Sequence, residues 1–336
     1  MSVFSQKKRV AIVTTGGTIA SLPGDEGRHV AGAIQGDELV AQLVNTQTVS
    51  LQVHSLFQKP SNAITPDDLL TLRTMCQHLI DAGEIDGIVI THGTDTLEET
   101  AYFLESSLRT GNVVVVVTGA QRVPHAVSSD ADANLRDAIT VAASDETKGL
   151  GVLVVFNETI HSASFVRKVS SYQLNGFESP ALGCLGFVDG EAVLVYQMPR
   201  RQPCLVPATT HLPTVEMLNL GLGSGPLMLK ALVDSDVQGI VLEGIGRGQV
   251  PPSWEQEVKR ADEKGIVVLV CSSTLHGPVS PCYEYQASLY DLEQLGAMGV
   301  SGLSARKLRI RLMLALSVLG SNPGQETLRP LFRWGA

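Results

Sequence analysis

The sequence has few cysteines, no extended basic run and no long apolar segment, and each shortage excludes a class of protein. Its five cysteines are scattered and form no C-x-x-C pair, so neither a disulfide framework nor a zinc ribbon is expected. Acidic residues outnumber basic residues by 34 to 25, and the formal net charge is −9. No run of lysine and arginine exceeds three residues. Nucleic-acid binding is therefore not expected.

Targeting, metal and cofactor signals are also missing. Residues 1–9 lack the apolar core of a signal peptide, and no run is long enough to span a membrane, so a cytoplasmic protein without a membrane partner is predicted. The eight histidines show no H-x-x-x-H spacing, so no metal site is predicted. Gly244, Gly246 and Gly248 lack the strand–turn–helix context of a dinucleotide fingerprint, and no P-loop occurs. The sequence therefore predicts no cofactor.

What the chain does contain is a repeated pattern of apolar strand, polar turn and helix. Hydrophobic residues make up 44% of its 336 residues, which is typical of a globular protein long enough for two domains. The repeated pattern predicts an α/β fold with a doubly wound parallel sheet. The predicted strands of this sheet are 10–14, 49–57, 87–90, 112–117 and 151–156. Proline-rich residues 198–213 predict a linker between an N-terminal domain, 1–197, and a smaller C-terminal α/β domain, 214–336.

Polar residues follow four of the predicted strands at the point where each strand ends. They are Thr15 and Thr18, Ser61 and Asn62, Thr94 and Asp95, and Gly119 and Ala120. Parallel strands bring their carboxyl ends to one edge, so these groups are expected to converge there. A hydroxyl is a weak nucleophile that needs an activating neighbour, which Asp95 and a lysine could supply to Thr18 or Thr94. Adjacent backbone N–H groups could hold an oxyanion. The set suits acyl transfer, although each threonine taken singly is more often a cap.

Two motifs carry a resemblance to a known family. Thr15-Gly16-Gly17-Thr18-Ile19-Ala20 and the stretch Thr91-His92-Gly93-Thr94-Asp95-Thr96 with its flanks resemble the signature motifs of bacterial-type L-asparaginases. These are the asparaginase/glutaminase amidohydrolases, and the Pro60-Ser61-Asn62 context is nearer to their cytosolic members. The resemblance covers nearly the whole chain. It implies a large flavodoxin-like N-terminal domain, a small C-terminal α/β domain, and a homodimer or homotetramer with sites at the subunit interface.

The resemblance also implies roles for individual residues. Thr18 matches the nucleophile that attacks the side-chain amide carbon of a small amino-acid amide. Thr94, Asp95 and Lys168 match a second triad, in which Lys168 assists Thr94 and its water. Ser61, Asn62 and Asp95 match the groups that hold the α-carboxylate and α-amine of the substrate. The full set of substrate-binding positions is Gly17, Ser61, Asn62, Gly93, Thr94, Asp95, Ala120 and Arg247.

Three departures leave the substrate open, and the first is Asn62, which stands where periplasmic members of the family commonly have glutamine. Residues 21–36 are unpatterned and predict a lid, but the family's lid tyrosine is missing. His29 stands near its place and is a candidate base, the alternative being an idle loop residue. Arg247 stands where periplasmic members have an asparagine that reaches the partner's site. Hydrolysis of L-asparagine to L-aspartate and ammonia is the leading expectation. The alternatives are hydrolysis of glutamine or another amide, and a non-catalytic amino-acid-binding relative.

Overall fold

The computed structural model describes residues 7–23, 29–30 and 49–334, with side chains for 7–22 and 49–334. The chain divides into two compact units, Met1–Pro199 and Arg200–Ala336. Most of the expected lid, residues 21–36, lies outside the described residues. The limits 1–197, 198–213 and 214–336 stay predictions. No helix among the described residues is long and apolar enough to cross a lipid bilayer.

The first unit contains one large sheet and two short two-stranded ladders. Its strands are β1 (Lys8–Gly16), β2 (Leu22–Pro23), β3 (His29–Val30), β4 (Val49–Lys59), β5 (Gly87–Thr91), β6 (Val114–Thr118), β7 (Val152–Phe156), β8 (Thr159–Ser162), β9 (Arg167–Lys168), β10 (Phe177–Glu178), β11 (Gly186–Asp189) and β12 (Ala192–Val195). Its described α-helices are α1 (Pro66–Ala82), α2 (Leu97–Ser107) and α3 (Ala131–Ala143). Eight strands form the sheet in the order β12-β11-β8-β7-β6-β5-β1-β4, and β2/β3 and β9/β10 form separate two-stranded ladders.

The strand order confirms the predicted α/β class and adds an antiparallel edge. β4, β1, β5, β6 and β7 run parallel. β8, β11 and β12 extend the sheet as antiparallel strands, which the polar sequence after Phe156 did not predict. Numbered in chain order, the five parallel strands read 2-1-3-4-5 across the sheet, which is the flavodoxin-like order. The order reverses between β1 and β5, and ligands of such sheets bind at this switch point.

The central strands are buried on both faces, as their apolar sequences require. Every residue of β5, β6 and β7 is buried, which is typical of a parallel sheet covered by helices. Helix α3 covers one face through Leu135, Ala138 and neighbouring small residues. A side chain at Gly87 would place its Cβ 2.1 Å from the carbonyl oxygen of Ala142, so α3 approaches β5 closely only because residue 87 is glycine.

The second unit has its own, smaller parallel sheet. Its strands are β13 (Val215–Asn219), β14 (Gly239–Gly244), β15 (Val267–Ser272) and β16 (Met298–Gly299), in that order across the sheet. Its described α-helices are α4 (Leu227–Val233), α5 (Glu255–Glu263), α6 (Leu289–Gln294), α7 (Ala305–Leu319) and α8 (Gln325–Leu328). The fully buried Arg311 guanidinium donates to the carbonyl oxygen of Pro203 at 2.8 Å. This contact and the buried Leu205 attach the proline-rich segment to the second unit.

Asn134 on α3 fastens the loop after β6 to the loop after β7. Its Nδ2 donates to the carbonyl oxygen of Gly119 at 2.9 Å and to the Asp130 carboxylate at 3.0 Å. Its Oδ1 accepts from the backbone N–H of Asn157 at 2.9 Å. The side chain is buried, so its removal leaves a carbonyl and an N–H without these partners.

We predict that Asn134→Ala lowers the free energy of unfolding by about 3 kcal/mol, since each unsatisfied buried polar group costs about 1–3 kcal/mol. Asp132→Asn, an exposed change on the same helix, is the control and should cost less than about 1 kcal/mol. Chemical denaturation of both variants measures the difference. Equal midpoints for the two variants would show that Asn134 does not hold the loops.

Candidate active site

Glycines let the ends of four parallel strands approach one another closely. A Cβ on Gly17, after β1, would lie 2.4 Å from the backbone nitrogen of Gly93, after β5. A Cβ on Gly93 would lie 2.8 Å from the Cβ of Ser61, after β4. A Cβ on Gly119, after β6, would lie 2.4 Å from the carbonyl oxygen of His92. The polar residues that follow these strands are thereby brought to one edge, at the switch point of the sheet.

Thr18 stands on a single 3-10 turn, Thr18–Ala20, directly after the Gly17 contact. Gly17 has a φ of 87°, which a residue with a side chain rarely adopts. The Ser21 hydroxyl donates to the carbonyl oxygen of Gly17 at 2.8 Å and closes the turn. The chain then enters the β2/β3 ladder, in which His29 pairs with Pro23. The His29 side chain lies outside the described residues, so its predicted role as a base stays a prediction.

Thr94, Lys168 and Asp95 form one hydrogen-bonded group. The Lys168 ammonium donates to Thr94 Oγ1 at 2.7 Å and to Asp95 Oδ1 at 2.7 Å. Thr94 is buried, and the Lys168 side chain is 14% exposed, whereas the Asp95 side chain is 72% exposed. The hydroxyl is therefore held from within the protein, while the carboxylate presents negative charge to solvent. A ligand with a positive charge can reach this carboxylate directly.

Gln121 and Glu98 contact this group, and neither residue was predicted to belong to the site. Thr94 Oγ1 lies 3.5 Å from Gln121 Oε1, and Gln121 Nε2 donates to the carbonyl oxygen of Ser170 at 3.3 Å. Glu98 Oε2 accepts the backbone N–H of Lys168 at 2.6 Å. An acid in the first turn of a helix is expected for the helix dipole alone, so its sequence position did not reveal this contact.

Ser61 and Asn62 begin a 3-10 turn between β4 and α1. Ser61 is buried, and its carbonyl oxygen accepts from the Thr96 hydroxyl at 2.8 Å, which ties the turn to the loop after β5. Asn62 is exposed. Lys59, at the end of β4, donates to both carboxylate oxygens of Asp68 at 2.8 Å. Burial opposes ionisation of Asp68, but hydrogen bonds from Lys59 and Thr65 outweigh it and lower the pKa of this carboxyl.

Ala120 is fully buried at the end of β6, and the loop that follows is held by a carboxylate. Asp130 accepts the backbone N–H groups of Gln121 and Arg122, each at 2.9 Å. Asp130 also accepts from Asn134. The loop beside Thr94 is thus fixed by buried polar contacts, which favours a site that is formed before a ligand arrives.

Arg247 lies in the second unit, in the tight turn after β14. It is exposed, and its Nη1 lies 3.7 Å from the Cys282 sulfur. The other predicted site residues belong to the first unit. Among the residues whose side chains are described, no group of three or more histidine, cysteine, aspartate and glutamate residues could hold a metal ion.

His92 stabilises the loop after β5 through contacts of both ring nitrogens. Its Nδ1 lies 2.8 Å from the carbonyl oxygen of Gly93 and therefore carries the proton, since a carbonyl only accepts. Its Nε2 lies 3.0 Å from the Thr100 hydroxyl, which then donates to it. Complete burial lowers the pKa of His92 to about 4, and the bond to Gly93 only partly opposes this. The ring is neutral at neutral pH and is engaged at both nitrogens, so it does not serve as a base.

The chain is an α/β protein with a hydroxyl-rich candidate site at the switch point of a flavodoxin-like sheet. Family models match both units. The model for the N-terminal domain of asparaginase matches residues 9–201, and the model for the C-terminal domain of glutaminase/asparaginase matches residues 214–332. The chain belongs to the asparaginase family.

Individual relatives agree with this assignment. The chain is 40% identical to a Bacillus licheniformis protein named L-asparaginase, over 92% of this chain and 96% of that protein. It is 35% identical to a probable L-asparaginase of Deinococcus radiodurans, over 97% and 98%. The crystal structure of a probable cytoplasmic L-asparaginase from Campylobacter jejuni superimposes with a TM-score of 0.84 at 31% identity. That match covers 97% of this chain and 100% of the other.

The neutral His92 predicts a dependence of stability on pH. Its pKa is about 4 in the folded chain and 6.5 in its ordinary state, so between these values the unfolded chain binds more protons. The contribution of the neutral His92 ring to the free energy of unfolding is therefore fully present above pH 6.5. It falls by about 3 kcal/mol as the pH drops towards 4.

The measurement is chemical denaturation at pH 7 and pH 4.5 for the wild type, His92→Asn and His78→Asn. His92→Asn should reduce the loss of stability between the two pH values, because the titrating ring is gone. His78 is exposed on α1, so His78→Asn should retain the wild-type loss. An unchanged pH dependence in His92→Asn would contradict the assignment.

Proposed function

We propose that the protein is an L-asparagine amidohydrolase, which converts L-asparagine and water to L-aspartate and ammonia. The observation that carries the proposal is the Thr94–Lys168–Asp95 group, which lies at the switch point beside the Thr18 turn. The relatives named L-asparaginase support the substrate. We further propose that the protein acts in the cytoplasm, as the name of the Campylobacter jejuni relative says of that protein.

The proposed reaction has two steps, both centred on threonine hydroxyls. In the first, Thr18 Oγ1 attacks the side-chain amide carbon and its proton passes to the amide nitrogen; the C–N bond then breaks, so that ammonia leaves and an acyl-threonine remains. His29 is the candidate base that carries this proton. In the second step, the Thr94–Lys168 pair activates a water that attacks the acyl carbon. Aspartate leaves, and the Thr18 hydroxyl is restored.

Substrate binding follows from the charges at the edge of the sheet. The exposed Asp95 carboxylate would pair with the substrate's α-ammonium, and the Ser61 hydroxyl and the Asn62 amide would hold its α-carboxylate. The backbone N–H of Thr94 and the backbone near Ala120 would face the developing oxyanion. Neither a metal nor an organic cofactor is needed for this chemistry.

Removing the hydroxyl of Thr18 or of Thr94 should abolish turnover. We expect Thr18→Ala and Thr94→Ala to lower ammonia release from L-asparagine by about a thousandfold or more, because each removes a reacting or activating group. Thr71→Ala is the control, since Thr71 is exposed on α1 and its hydroxyl donates to the carbonyl oxygen of Asp67 in the same helix. Ammonia release from Thr18→Ala at the wild-type rate would refute the nucleophile. A wild type inactive on every amide would refute the function.

A second candidate substrate is glutamine, because the exposed Arg247 stands where periplasmic members of the family have an asparagine and so leaves the selectivity open. We propose a homodimer or homotetramer in which the turn bearing Arg247 reaches the site of a neighbouring subunit. Sedimentation would show whether such an assembly exists, and a purely monomeric active enzyme would refute it.

If Arg247 faces the substrate, its replacement should alter selectivity. We expect Arg247→Asn to change the ratio of kcat/KM for glutamine to that for asparagine by about tenfold, which corresponds to about 1.4 kcal/mol of differential binding. Arg333→Asn, at another exposed arginine of the second unit, should leave the ratio unchanged. An equal ratio in both variants would remove Arg247 from the site.

A further inference from the structure

Lys168 is carried by a small piece of structure that does not belong to the main sheet. It lies on β9, which pairs with β10 over only two residue pairs. The chain turns back soon afterwards, where the backbone N–H of Val169 donates to the carbonyl oxygen of Gly176 at 2.8 Å. So short a ladder has little stiffness of its own. Buried Val166 and the packing of Phe177 on Phe156 place the ladder, and contacts with the segment after β5 add to the placement of the lysine relative to Thr94.

One five-residue segment, 94–98, binds Lys168 at its side-chain ammonium and at its backbone nitrogen. The ammonium at the tip of the side chain is held by Thr94 and Asp95, as described above. The backbone nitrogen of the same residue donates to Glu98 Oε2 at 2.6 Å. Because Glu98 lies in the first turn of α2, the anchor is part of a helix that begins three residues after Thr94 and two after Asp95.

The Glu98 carboxylate is placed for this contact and not for chemistry on a substrate. Its residue is only 3% exposed, so a substrate has no access to it. A buried carboxylate is costly unless it is paired and hydrogen-bonded. Here Glu98 Oε2 accepts the Lys168 backbone N–H, and the residue lies in the first turn of α2, where the helix dipole attracts an acidic side chain.

We propose that Glu98 is a positioning residue, whose carboxylate holds the backbone of Lys168 so that the ammonium bridges Thr94 and Asp95. The inference rests on the proposed function, in which Lys168 assists Thr94 and its water. A lysine side chain has many rotamers, and fixing its backbone removes the motion that the ammonium contacts alone would allow. Displacement by about 1 Å is enough to cost about a hundredfold in rate.

The first test compares Glu98→Ala, Glu98→Gln and Glu99→Gln in asparagine hydrolysis. We expect Glu98→Ala to lower kcat about a hundredfold while KM changes less than about threefold. Glu98→Gln should recover most of the rate, because its amide oxygen still accepts the N–H. Glu99, the next residue of the same helix turn, is the matched control and should leave kcat near wild type. A wild-type kcat in Glu98→Ala would overturn the proposal.

A double-mutant cycle separates positioning from a general structural role. If Glu98 acts only through Lys168, then Glu98→Ala in a Lys168→Met background should cause no further loss of kcat. Multiplying losses would overturn the proposal, since a structural defect would act whether or not the lysine is present.

A crystal structure of Glu98→Ala keeps the inference testable apart from the proposed function. We expect the Lys168 ammonium to leave hydrogen-bonding distance of Thr94 Oγ1. An ammonium still at its wild-type position would overturn the proposal even if the wild type hydrolysed no amide. A wild type without activity would refute the function but not the displacement.

Discussion

The backbone contact between Gly17 and Gly93 is the constraint on which the site depends. A Cβ at residue 17 would lie 2.4 Å from the backbone nitrogen of Gly93, closer than side-chain carbons approach. The ends of β1 and β5 can therefore meet only if residue 17 is glycine. Thr18 and Thr94 each follow one of these two glycines. Two hydroxyls from distant parts of the chain are brought to one place by the absence of two side chains.

Behind this contact lies a layer of buried polar groups that bond to one another and to the backbone. The Thr15 hydroxyl donates to the carbonyl oxygen of Thr91 at 2.9 Å. His92 bridges Gly93 and Thr100 as a neutral ring. These bonds satisfy groups that would otherwise be costly inside the sheet edge, and they keep the loops from relaxing. A neutral His92 also leaves Lys168 as the cation that contacts Thr94, so the charge stays at one defined position.

The sequence predicted the fold well because the fold follows from local patterns. Apolar runs ending in polar turns identified the five parallel strands, and their common edge followed from the geometry of parallel sheets. The antiparallel strands after Phe156 were not predicted, since short edge strands show little hydrophobic pattern. The contacts of Glu98 and Gln121 were not predicted either, because their partners Lys168 and Ser170 lie 70 and 49 residues away in the sequence. No spacing rule reports such pairings, and only the packed chain brings them together.

The two charged side chains of the site, Lys168 and Asp95, differ in how freely they can exchange partners, because they differ in burial. Lys168 is mostly enclosed and must keep its partners, whereas Asp95 is largely exposed and can exchange them. Under the proposed function, a substrate ammonium that binds Asp95 becomes a second cation on the same carboxylate. The attraction between Asp95 and Lys168 is then shared, while Thr94 and Glu98 still hold the lysine in place. Substrate binding thus changes the electrostatic balance around the lysine without moving it, which is what a preformed site requires.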